Sequence, residues 1–257
     1  MAGNFIIPDW PAPEQVKSAI TLRSGGTSRA PFESNNLASH VDDSAADVEQ
    51  NRRNLIAALP LPASPLWLNQ CHGTDLVYVP DYLKEPQPAA TADGSYSDKV
   101  DTVCAILTAD CLPVLFCNQS GTQIAAAHAG WRGLCGGILR KTVATFKNSP
   151  DQVMAYLGPA IGPQVFEVGA EVLEAFLHSA QNEVHQQSVR AAFKAVDGGG
   201  DKYLADLYAL ARAELTASGV TGIYGGNYCS YSDSERFYSF RRESKTGRNA
   251  SLIWLQS

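Results

Sequence analysis

The sequence predicts an α+β fold in which β-sheets are covered by α-helices. Strand-like runs outnumber helical ones, and the two kinds do not alternate strictly along the chain, as they would in a repeated βαβ array. Several runs, such as Val103–Leu107, are apolar at every position, which is typical of strands that are covered on both faces. The chain has 257 residues and no marked shift in composition, so we expect one domain spanning residues 1–257.

Ten short runs of strand-forming residues predict the strands of these sheets. They are, in chain order, Ala19–Leu22, Pro65–Leu68, Leu76–Val79, Val103–Leu107, Val114–Cys117, Gln123–Ala127, Val153–Leu157, Gly222–Tyr224, Phe237–Phe240 and Leu252–Leu255. Because they are numerous and the helical segments are few, the pattern favours layered sheets with helices on the outside.

Four segments show the apolar periodicity of an amphipathic helix. The first is predicted to begin after Ser44, because Ser44 and Asp47 have the spacing of a capping box. The apolar positions of the four predicted helices are Val48, Leu55, Ile56 and Leu59; Leu134, Ile138, Val143 and Phe146; Val168, Val172, Leu173, Phe176 and Leu177; and Leu204, Leu207, Tyr208, Ala211 and Leu215.

Arg52 interrupts the apolar stripe of the first predicted helix. It lies four residues after Val48 and three before Leu55, so its side chain is expected on the inward face. An inward guanidinium group needs an anion or hydrogen-bond acceptors, because burying an unpaired charge is costly. Two interpretations stay open: a buried ion pair with an Asp or Glu, and an anion site that opens into a cleft.

Charge and hydropathy predict a cytoplasmic protein without nucleic-acid or membrane partners. The chain has 20 Lys and Arg against 26 Asp and Glu, a net charge of −6, which argues against the basic face of a general nucleic-acid binder. Its apolar stretches are far shorter than the ~18 residues of a membrane span. Pro8, Pro11 and Pro13 would break an N-terminal apolar segment, so no secretory signal is expected.

Three side chains that bind metals stand at the predicted ends of separate strands. His72 and His128 each follow a strand-like run and precede a glycine turn, and Cys111 follows the run that begins at Val103 and is stopped by Pro113. We refer to His72, Cys111 and His128 as the ligand triad. Two imidazoles and one thiolate suit Zn²⁺, and three protein ligands leave a fourth position open, as in catalytic zinc sites.

Other interpretations of the ligand triad remain open at this stage. The three side chains could be polar residues with hydrogen-bond partners at strand ends, or Cys111 could be a nucleophile with His128 as its base. Asp110 is a poor third member of such a group, because neighbouring side chains of a strand point to opposite faces. Multicopper chemistry is not favoured, since the chain has only five histidines and two methionines.

Two regions offer cations for anion recognition. The His128–Gly133 turn leads into a predicted helix, where free backbone N–H groups and Arg132 would suit a phosphate. Near the C-terminus, Arg241 follows a run of aromatic residues, and further cations lie shortly after it; aromatic rings and arginines together could stack on a heterocycle and bind an anion. A solvated basic face is the alternative. The chain has no Walker A or G-x-G-x-x-G loop.

Taken together, these motifs resemble the laccase-domain family, whose members have been called polyphenol oxidase, purine nucleoside phosphorylase and peptidoglycan editing factor. The resemblance runs from about Arg23 to Trp254, nearly the whole chain. The motifs that carry it are Gln70-Cys-His-Gly73, Thr108-Ala-Asp-Cys-Leu-Pro-Val114, His128-Ala-Gly-Trp-Arg-Gly133, Leu157-Gly-Pro-Ala-Ile-Gly162, Phe237-Tyr-Ser-Phe-Arg-Arg242 and Thr246-Gly-Arg248.

The resemblance implies a single α+β domain of layered mixed sheets flanked by helices, an α/β/β/α-type sandwich. It implies that the ligand triad binds Zn²⁺, with Cu²⁺ as the less favoured metal. It also implies that Asn36, Arg52 and Arg241 line a pocket for a nucleoside and phosphate, which favours the anion-site interpretation of Arg52.

The activity that the resemblance implies is phosphorolysis of adenosine, inosine and methylthioadenosine, with deamination of adenosine as a second reaction. The main alternative is a hydrolase that removes a wrongly incorporated amino acid from UDP-muramoyl precursors of peptidoglycan. A metal-binding protein without enzymatic activity and a copper-dependent polyphenol oxidase are further alternatives. The sequence makes no prediction of the oligomeric state.

Overall fold

Two β-sheets packed face to face form the centre of the protein. The computed structural model describes residues 5–84 and 88–256. The strands are β1 (Phe5–Ile6), β2 (Val16–Thr21), β3 (Leu76–Tyr78), β4 (Gly94–Ser97), β5 (Val103–Thr108), β6 (Leu112–Asn118), β7 (Ile124–Ala129), β8 (Val153–Leu157), β9 (Glu167–Gly169), β10 (Phe193–Ala195), β11 (Lys202–Ala205), β12 (Gly222–Gly225) and β13 (Asn249–Leu255).

The α-helices lie on the two outer sides of this pair of sheets, except for the short helix at Val79, which packs against the core between the sheets. They are α1 (Ala45–Ala58), α2 (Val79–Tyr82), α3 (Trp131–Cys135), α4 (Ile138–Val143), α5 (Ala170–Ser179), α6 (Glu183–Ala191) and α7 (Leu207–Ala217), and a short 3-10 helix spans Pro150–Gln152. Within the described ranges, no helix combines the length and the apolar character that crossing a bilayer requires.

The two central sheets differ in strand direction. One has the order β1-β2-β13-β5 and is antiparallel throughout. The other has the order β12-β8-β6-β7-β4-β3 and is mixed, because β12 pairs with β8 and β3 with β4 in parallel. A small antiparallel sheet, β10-β11-β9, lies apart from both. The fold is therefore mixed α+β, as the sequence predicts.

Three layers of apolar residues hold the sandwich together. Between the two sheets, Ile20, Ile106 and Ile253 of the four-stranded sheet pack with Leu115 and Ile124 of the six-stranded sheet. On its other face the four-stranded sheet packs against α1. The outer face of the six-stranded sheet is covered by α3 to α7. The order of layers is thus helix, sheet, sheet, helices.

The apolar runs of the sequence follow from this burial on both faces. In β6, Val114 and Phe116 face the helices, and Leu115 and Cys117 face the second sheet; all four are fully buried. A strand in this position gains hydrophobic free energy from every residue, so polar alternation is absent. This is why the central strands can be read from composition alone.

The predicted start of α1 is confirmed. Ser44 is the N-cap, and its hydroxyl accepts a hydrogen bond from the backbone N–H of Asp47 at 3.3 Å. In a capping box the side chain of Asp47 would in turn accept the backbone N–H of Ser44. Here that N–H donates to Asp43, which precedes the helix. The cap thus satisfies a free donor of the first turn and fixes where the helix begins.

Two of the predicted strands are wrong. Pro65–Leu68 forms only an isolated bridge between Leu66 and Cys104, although Leu66 and Leu68 are core residues as expected. Phe237–Phe240 has no regular secondary structure, because the backbone N–H of Tyr238 donates to the side chain of Asn249 instead of to a neighbouring strand. Aromatic burial made this segment resemble a strand.

Three of the predicted helices also differ from the structure. The helical run from Leu134 to Phe146 is divided into α3 and α4, since Gly137 adopts a φ of +87°, outside the range of a right-handed helix. Val168 and Leu204 belong to β9 and β11 rather than to the helices that follow. The small third sheet was therefore not predicted.

Leu115→Ala tests the layer between the two sheets. Leu115 is fully buried, so its truncation is expected to lower the free energy of unfolding by about 2–5 kcal/mol, measured by urea denaturation. The matched control is Leu83→Ala, at a leucine that is 49% exposed, with an expected change below about 0.5 kcal/mol. Equal effects of the two substitutions would contradict this packing.

Candidate metal centre and anion-binding cavity

The ligand triad converges on one point of the structure. The Nδ1 or Nε2 atoms of His72 and His128 and the Sγ atom of Cys111 all lie within 4.8 Å of one another. Cys111 Sγ is 3.8 Å from His72 Nε2, and the two imidazole rings meet edge to face with centroids 4.9 Å apart. His128 is buried, Cys111 is partly exposed and His72 is exposed. The three side chains therefore form a group that solvent can reach.

Different elements supply the three side chains. His72 lies in the turn before β3, Cys111 in the turn from β5 to β6, and His128 near the end of β7. The backbones of His72 and Asp110 adopt φ values of 61° and 93°, a region that non-glycine residues rarely occupy. Such conformations persist only where the surroundings hold them, and they are concentrated at functional sites.

Asp93 is the residue that holds two of these elements together. One of its carboxylate oxygens accepts the backbone N–H of His72 at 2.9 Å and the Nδ1–H of His128 at 2.8 Å. The other oxygen accepts the backbone N–H groups of Cys71 and Gly73 and the thiol of Cys71. Asp93 is completely buried, so these five hydrogen bonds replace its lost hydration.

The contact with Asp93 also fixes which nitrogen of His128 is available. Because Nδ1 donates its hydrogen to the carboxylate, Nε2 is left to face the other members of the ligand triad. A carboxylate behind a histidine is the usual second partner of a metal-binding imidazole, since it orients the ring and raises its basicity. The sequence analysis missed Asp93, because an Ala-Asp-Gly segment is typical of an ordinary turn.

The charges of this group are coupled. Burial opposes the charge of Asp93, but hydrogen bonds from His128, Gly73 and Cys71 hold its pKa well below the usual range. Burial likewise opposes a thiolate at Cys111, but the neighbouring imidazoles of His128 and His72 outweigh it and lower the pKa of Cys111 to about 6. The group therefore favours the deprotonated sulfur that metal binding requires.

A glycine makes room for the ligand triad. A Cβ atom at Gly130 would lie 2.9 Å from Cys111 Sγ and 3.0 Å from His72 Cδ2, closer than such contacts occur. The side chains of Cys111 and His72 thus occupy the space that a larger residue at position 130 would fill. The donor set of two imidazoles and one thiolate, the oriented His128 and this open space all fit a tetrahedral metal with one free position.

The ligand triad lies in the wall of a cavity of about 440 Å³. Three arginines, which we call the cavity arginines, line the same cavity: Arg132, Arg241 and Arg248. His40 and Phe240 line it too. Of these five residues the sequence analysis named Arg132 and Arg241 as candidate binding residues. Phe240 and Arg248 lie in motifs that carry the family resemblance but were given no role, and His40 was not singled out.

The cavity arginines lack acidic partners. Each guanidinium group lies over an aromatic ring: Arg132 over Trp131 at 4.3 Å, Arg241 over Phe166 at 5.5 Å and Arg248 over Phe240 at 5.9 Å.. Among the described residues, the ion pairs that arginines form with Asp or Glu involve arginines other than these three. The positive charges of the cavity arginines are therefore not neutralised by direct contact with a carboxylate.

One carboxylate of the cavity wall, Asp110, is already engaged. Its two oxygens accept hydrogen bonds from the Ser230 hydroxyl and from the backbone N–H of Arg241, both at 2.7 Å. It therefore positions the Arg241 backbone rather than pairing with a guanidinium group. It is not part of the ligand triad, although it lies in the turn between β5 and β6 and not in an extended strand as the sequence analysis assumed.

Two predicted pocket residues lie behind the cavity wall instead of lining it. Arg52 donates two hydrogen bonds to the carbonyl oxygen of Leu37, at 3.0 and 2.8 Å, and its guanidinium group lies over the ring of Trp67. The interpretation of Arg52 as a buried pair with an Asp or Glu is therefore wrong. Asn36 is fully buried and binds the backbone N–H of Arg248.

Comparison with known proteins gives a consistent family. A family model described as multi-copper polyphenol oxidoreductase laccase matches residues 17–256. A protein of Escherichia coli named purine nucleoside phosphorylase YfiH is 50% identical, covering 98% of this chain and 99% of that protein. Purine nucleoside phosphorylase YlmD of Geobacillus stearothermophilus is 33% identical over 92% of this chain and 89% of that protein.

Two solved structures share the fold. A Neisseria meningitidis protein that is 46% identical superimposes with a TM-score of 0.91, covering 99% of this chain and 100% of that one. The crystal structure of YlmD from Geobacillus stearothermophilus, 29% identical, gives a TM-score of 0.89 and covers 100% of this chain and 98% of that one. The layered sandwich is therefore the fold of a group of related proteins.

Asp93→Asn tests the role of the buried carboxylate. The amide cannot accept the full set of donors, so the hold on His72 and His128 is expected to loosen and zinc affinity to fall about 10–100-fold, measured by competition with a chelator. The control is Asp98→Asn, at a carboxylate bonded to Tyr78 and Lys147, with unchanged affinity. Wild-type affinity in the first variant would refute this role.

A second prediction concerns the thiol of Cys111 and that of Cys71, which bonds to Asp93. In protein freed of metal by a chelator, alkylation of Cys111 is expected to rise with a midpoint near pH 6, because its pKa is lowered to about 6. The hydrogen bond to Asp93 raises the pKa of Cys71, so that exposed thiol is expected to react only at higher pH. Peptide mapping by mass spectrometry separates the two, and coincident titrations would contradict the prediction.

Proposed function

Because the chain belongs to the family described as multi-copper polyphenol oxidoreductase laccase, which includes relatives named purine nucleoside phosphorylase, we propose that it is a zinc-dependent purine nucleoside phosphorylase. The proposed substrates are adenosine, inosine and methylthioadenosine together with inorganic phosphate. Deamination of adenosine is proposed as a second reaction of the same site. The metal is proposed to be zinc rather than copper.

The observation that carries this proposal is that the ligand triad and the cavity arginines share one cavity. Phosphorolysis needs an anion held against a sugar carbon that develops positive charge, which is a task of positioning and electrostatics. Guanidinium groups without acidic partners, in a chain with a net charge of −6, attract such an anion to this place. The aromatic rings of the same wall suit a purine base.

The residues of the chain divide this work. His72, Cys111 and His128 would hold the zinc ion, which supplies a Lewis acid at the end of the cavity. Asp93 keeps the proton of His128 on Nδ1 and so keeps the ring in place. The cavity arginines bind phosphate oxygens and keep them close to the nucleoside. Because the groups are fixed before the substrate arrives, little reorganisation is needed during the reaction.

Zinc is favoured over a multicopper centre by the number of ligands. Among the described residues, one group of three or more His, Cys, Asp or Glu side chains has metal-ligand spacing, and it is the ligand triad. Of the remaining histidines, His185 is buried against Glu214, away from the cavity. A trinuclear oxygen-reducing centre would need more imidazoles at one place than this arrangement provides.

Cys111→Ser tests the proposed function. The variant is expected to lose zinc and to lower phosphate-dependent release of hypoxanthine from inosine by about 100-fold or more, since even a residue behind a metal ligand contributes ~10–100-fold. The matched control is Cys135→Ser in α3, whose thiol contacts Ser179 and lies outside the ligand triad; its zinc content and activity should stay at the wild-type level.

Two results would overturn the proposal. If the serine variant of Cys111 keeps its phosphorolysis without zinc, the metal has no part in the reaction. If the wild-type protein releases no hypoxanthine from inosine but removes an amino acid from a UDP-muramoyl precursor, it is an editing hydrolase instead. Metal analysis and both product assays on one protein preparation decide between these outcomes.

A further inference from the structure

Arg248 is anchored more firmly than the other cavity arginines. It lies directly before β13, and its Nη1 donates hydrogen bonds to the carbonyl oxygens of Thr246 and Gly247 at 2.8 and 3.0 Å. Its own backbone N–H donates to Asn36 Oδ1 at 2.9 Å. Within the described residues its Nε and Nη2 have no hydrogen-bond partner, so these donors remain available to a ligand in the cavity.

Asn36 has no capacity left for a ligand. Its Oδ1 accepts the N–H groups of Ala38 and Arg248, and its Nδ2 donates to the Ala38 carbonyl and to Asp43. The side chain is completely buried, and all the hydrogen bonds an asparagine amide forms are made within the protein. Its contact with the cavity is therefore indirect, through the backbone of Arg248.

The turn that carries Arg248 is closely packed as well. A Cβ atom at Gly247 would lie 2.7 Å from the Tyr238 ring and 2.9 Å from Asn36 Cβ, so the chain passes these side chains where only glycine fits. Tyr238 is itself fully buried, and its hydroxyl donates to the Phe32 carbonyl. The position of Arg248 is thus set by the core of the protein.

The other two cavity arginines are held less. Arg132 and Arg241 are both exposed, whereas Arg248 is partly buried. Arg241 makes one side-chain hydrogen bond, to the Glu167 carbonyl, and the guanidinium group of Arg132 has no hydrogen-bond partner among the described residues. Burial lowers the pKa of Arg248, and the charges of Cys111 and Asp110 oppose this shift. Arg248 lines the same cavity as the ligand triad.

We propose that Arg248 is the fixed contact of the phosphate co-substrate and that Asn36 is a positioning residue that holds it there. This inference rests on the proposed phosphorolysis and adds to it the residue that binds phosphate beside the metal centre. A guanidinium group fixed in advance loses little freedom on binding, so a given hydrogen bond contributes more to affinity.

Arg248→Met tests the first part, because methionine keeps an apolar stem over Phe240 and removes the charge. The KM for inorganic phosphate is expected to rise about 10–100-fold, the loss typical of a hydrogen bond to a charged group, while the KM for inosine and the zinc content stay nearly unchanged. The matched control is Arg53→Met on α1, an exposed arginine that pairs with Glu49. It should show wild-type values.

Asn36→Ala tests the second part. Because Asn36 is buried, thermal unfolding first establishes that the variant folds, and Asn36→Ser serves if it does not. The expected result is a raised KM for phosphate in the wild-type background and no further rise in the Arg248→Met background, because Asn36 acts only through Arg248. Additive effects of the two substitutions on the KM for phosphate would refute the positioning role.

Direct binding of inorganic phosphate to the zinc-loaded protein, measured by calorimetry, separates this inference from the proposed function. If the wild-type protein binds phosphate and Arg248→Met does not, but inosine is not cleaved, the phosphate contact stands and the phosphorylase function fails. If inosine is cleaved and Arg248→Met binds phosphate as tightly as the wild-type protein, the phosphorylase function stands and the assignment of Arg248 is wrong.

Discussion

The geometry of the metal centre depends on one buried carboxylate. Asp93 directly precedes β4, and the pairing of β4 with β7 continues beyond Gly94 through a hydrogen bond from the backbone N–H of His128 to the Asp93 carbonyl. The same residue therefore fixes the strand that carries His128 and, with its side chain, the ring of His128 and the turn that carries His72. A buried charge is tolerated here because every nearby donor is directed at it.

The site also requires both sheets of the sandwich. β5 belongs to the four-stranded sheet and β6 to the six-stranded one, and the turn that crosses between them carries Asp110 and Cys111. His128 comes from the six-stranded sheet, whereas Arg248 is adjacent to β13 of the four-stranded sheet. The triad residues and the arginines thus line one cavity because the segments that carry them, at the ends of strands of both sheets, lie together beside the shared core.

The sequence predicted the parts of the molecule that depend on local composition. Central strands such as β8 were located because burial on both faces leaves a continuous apolar run. Cys111 and His128 were found because each stands at or just after the end of such a strand, whereas His72 was found although the apolar run before it, Pro65–Leu68, forms only an isolated bridge. Asp93 was not found, because its function arises from contacts with residues about twenty to thirty-five positions away. Arg52 and Asn36 were associated with the cavity, yet their side chains bind the backbone behind its wall.

The electrostatics of the cavity favour a metal ion and an anion on different parts of one surface. At the ligand triad, Nδ1 of His128 donates to Asp93, so Nε2 of that ring and the Cys111 sulfur are the atoms that can give electron pairs to a cation, once it has displaced the proton that the raised pKa of His128 keeps on Nε2. Elsewhere in the cavity wall, Arg248 offers the Nε and Nη2 donors, which its own turn does not use because Nη1 alone binds the Thr246 and Gly247 carbonyls. The Asp110 carboxylate accepts hydrogen bonds from Ser230 and from the Arg241 backbone, and it forms no ion pair with a guanidinium group of the cavity arginines. An oxyanion with several negative oxygens satisfies the second region without competing for the donors of the first.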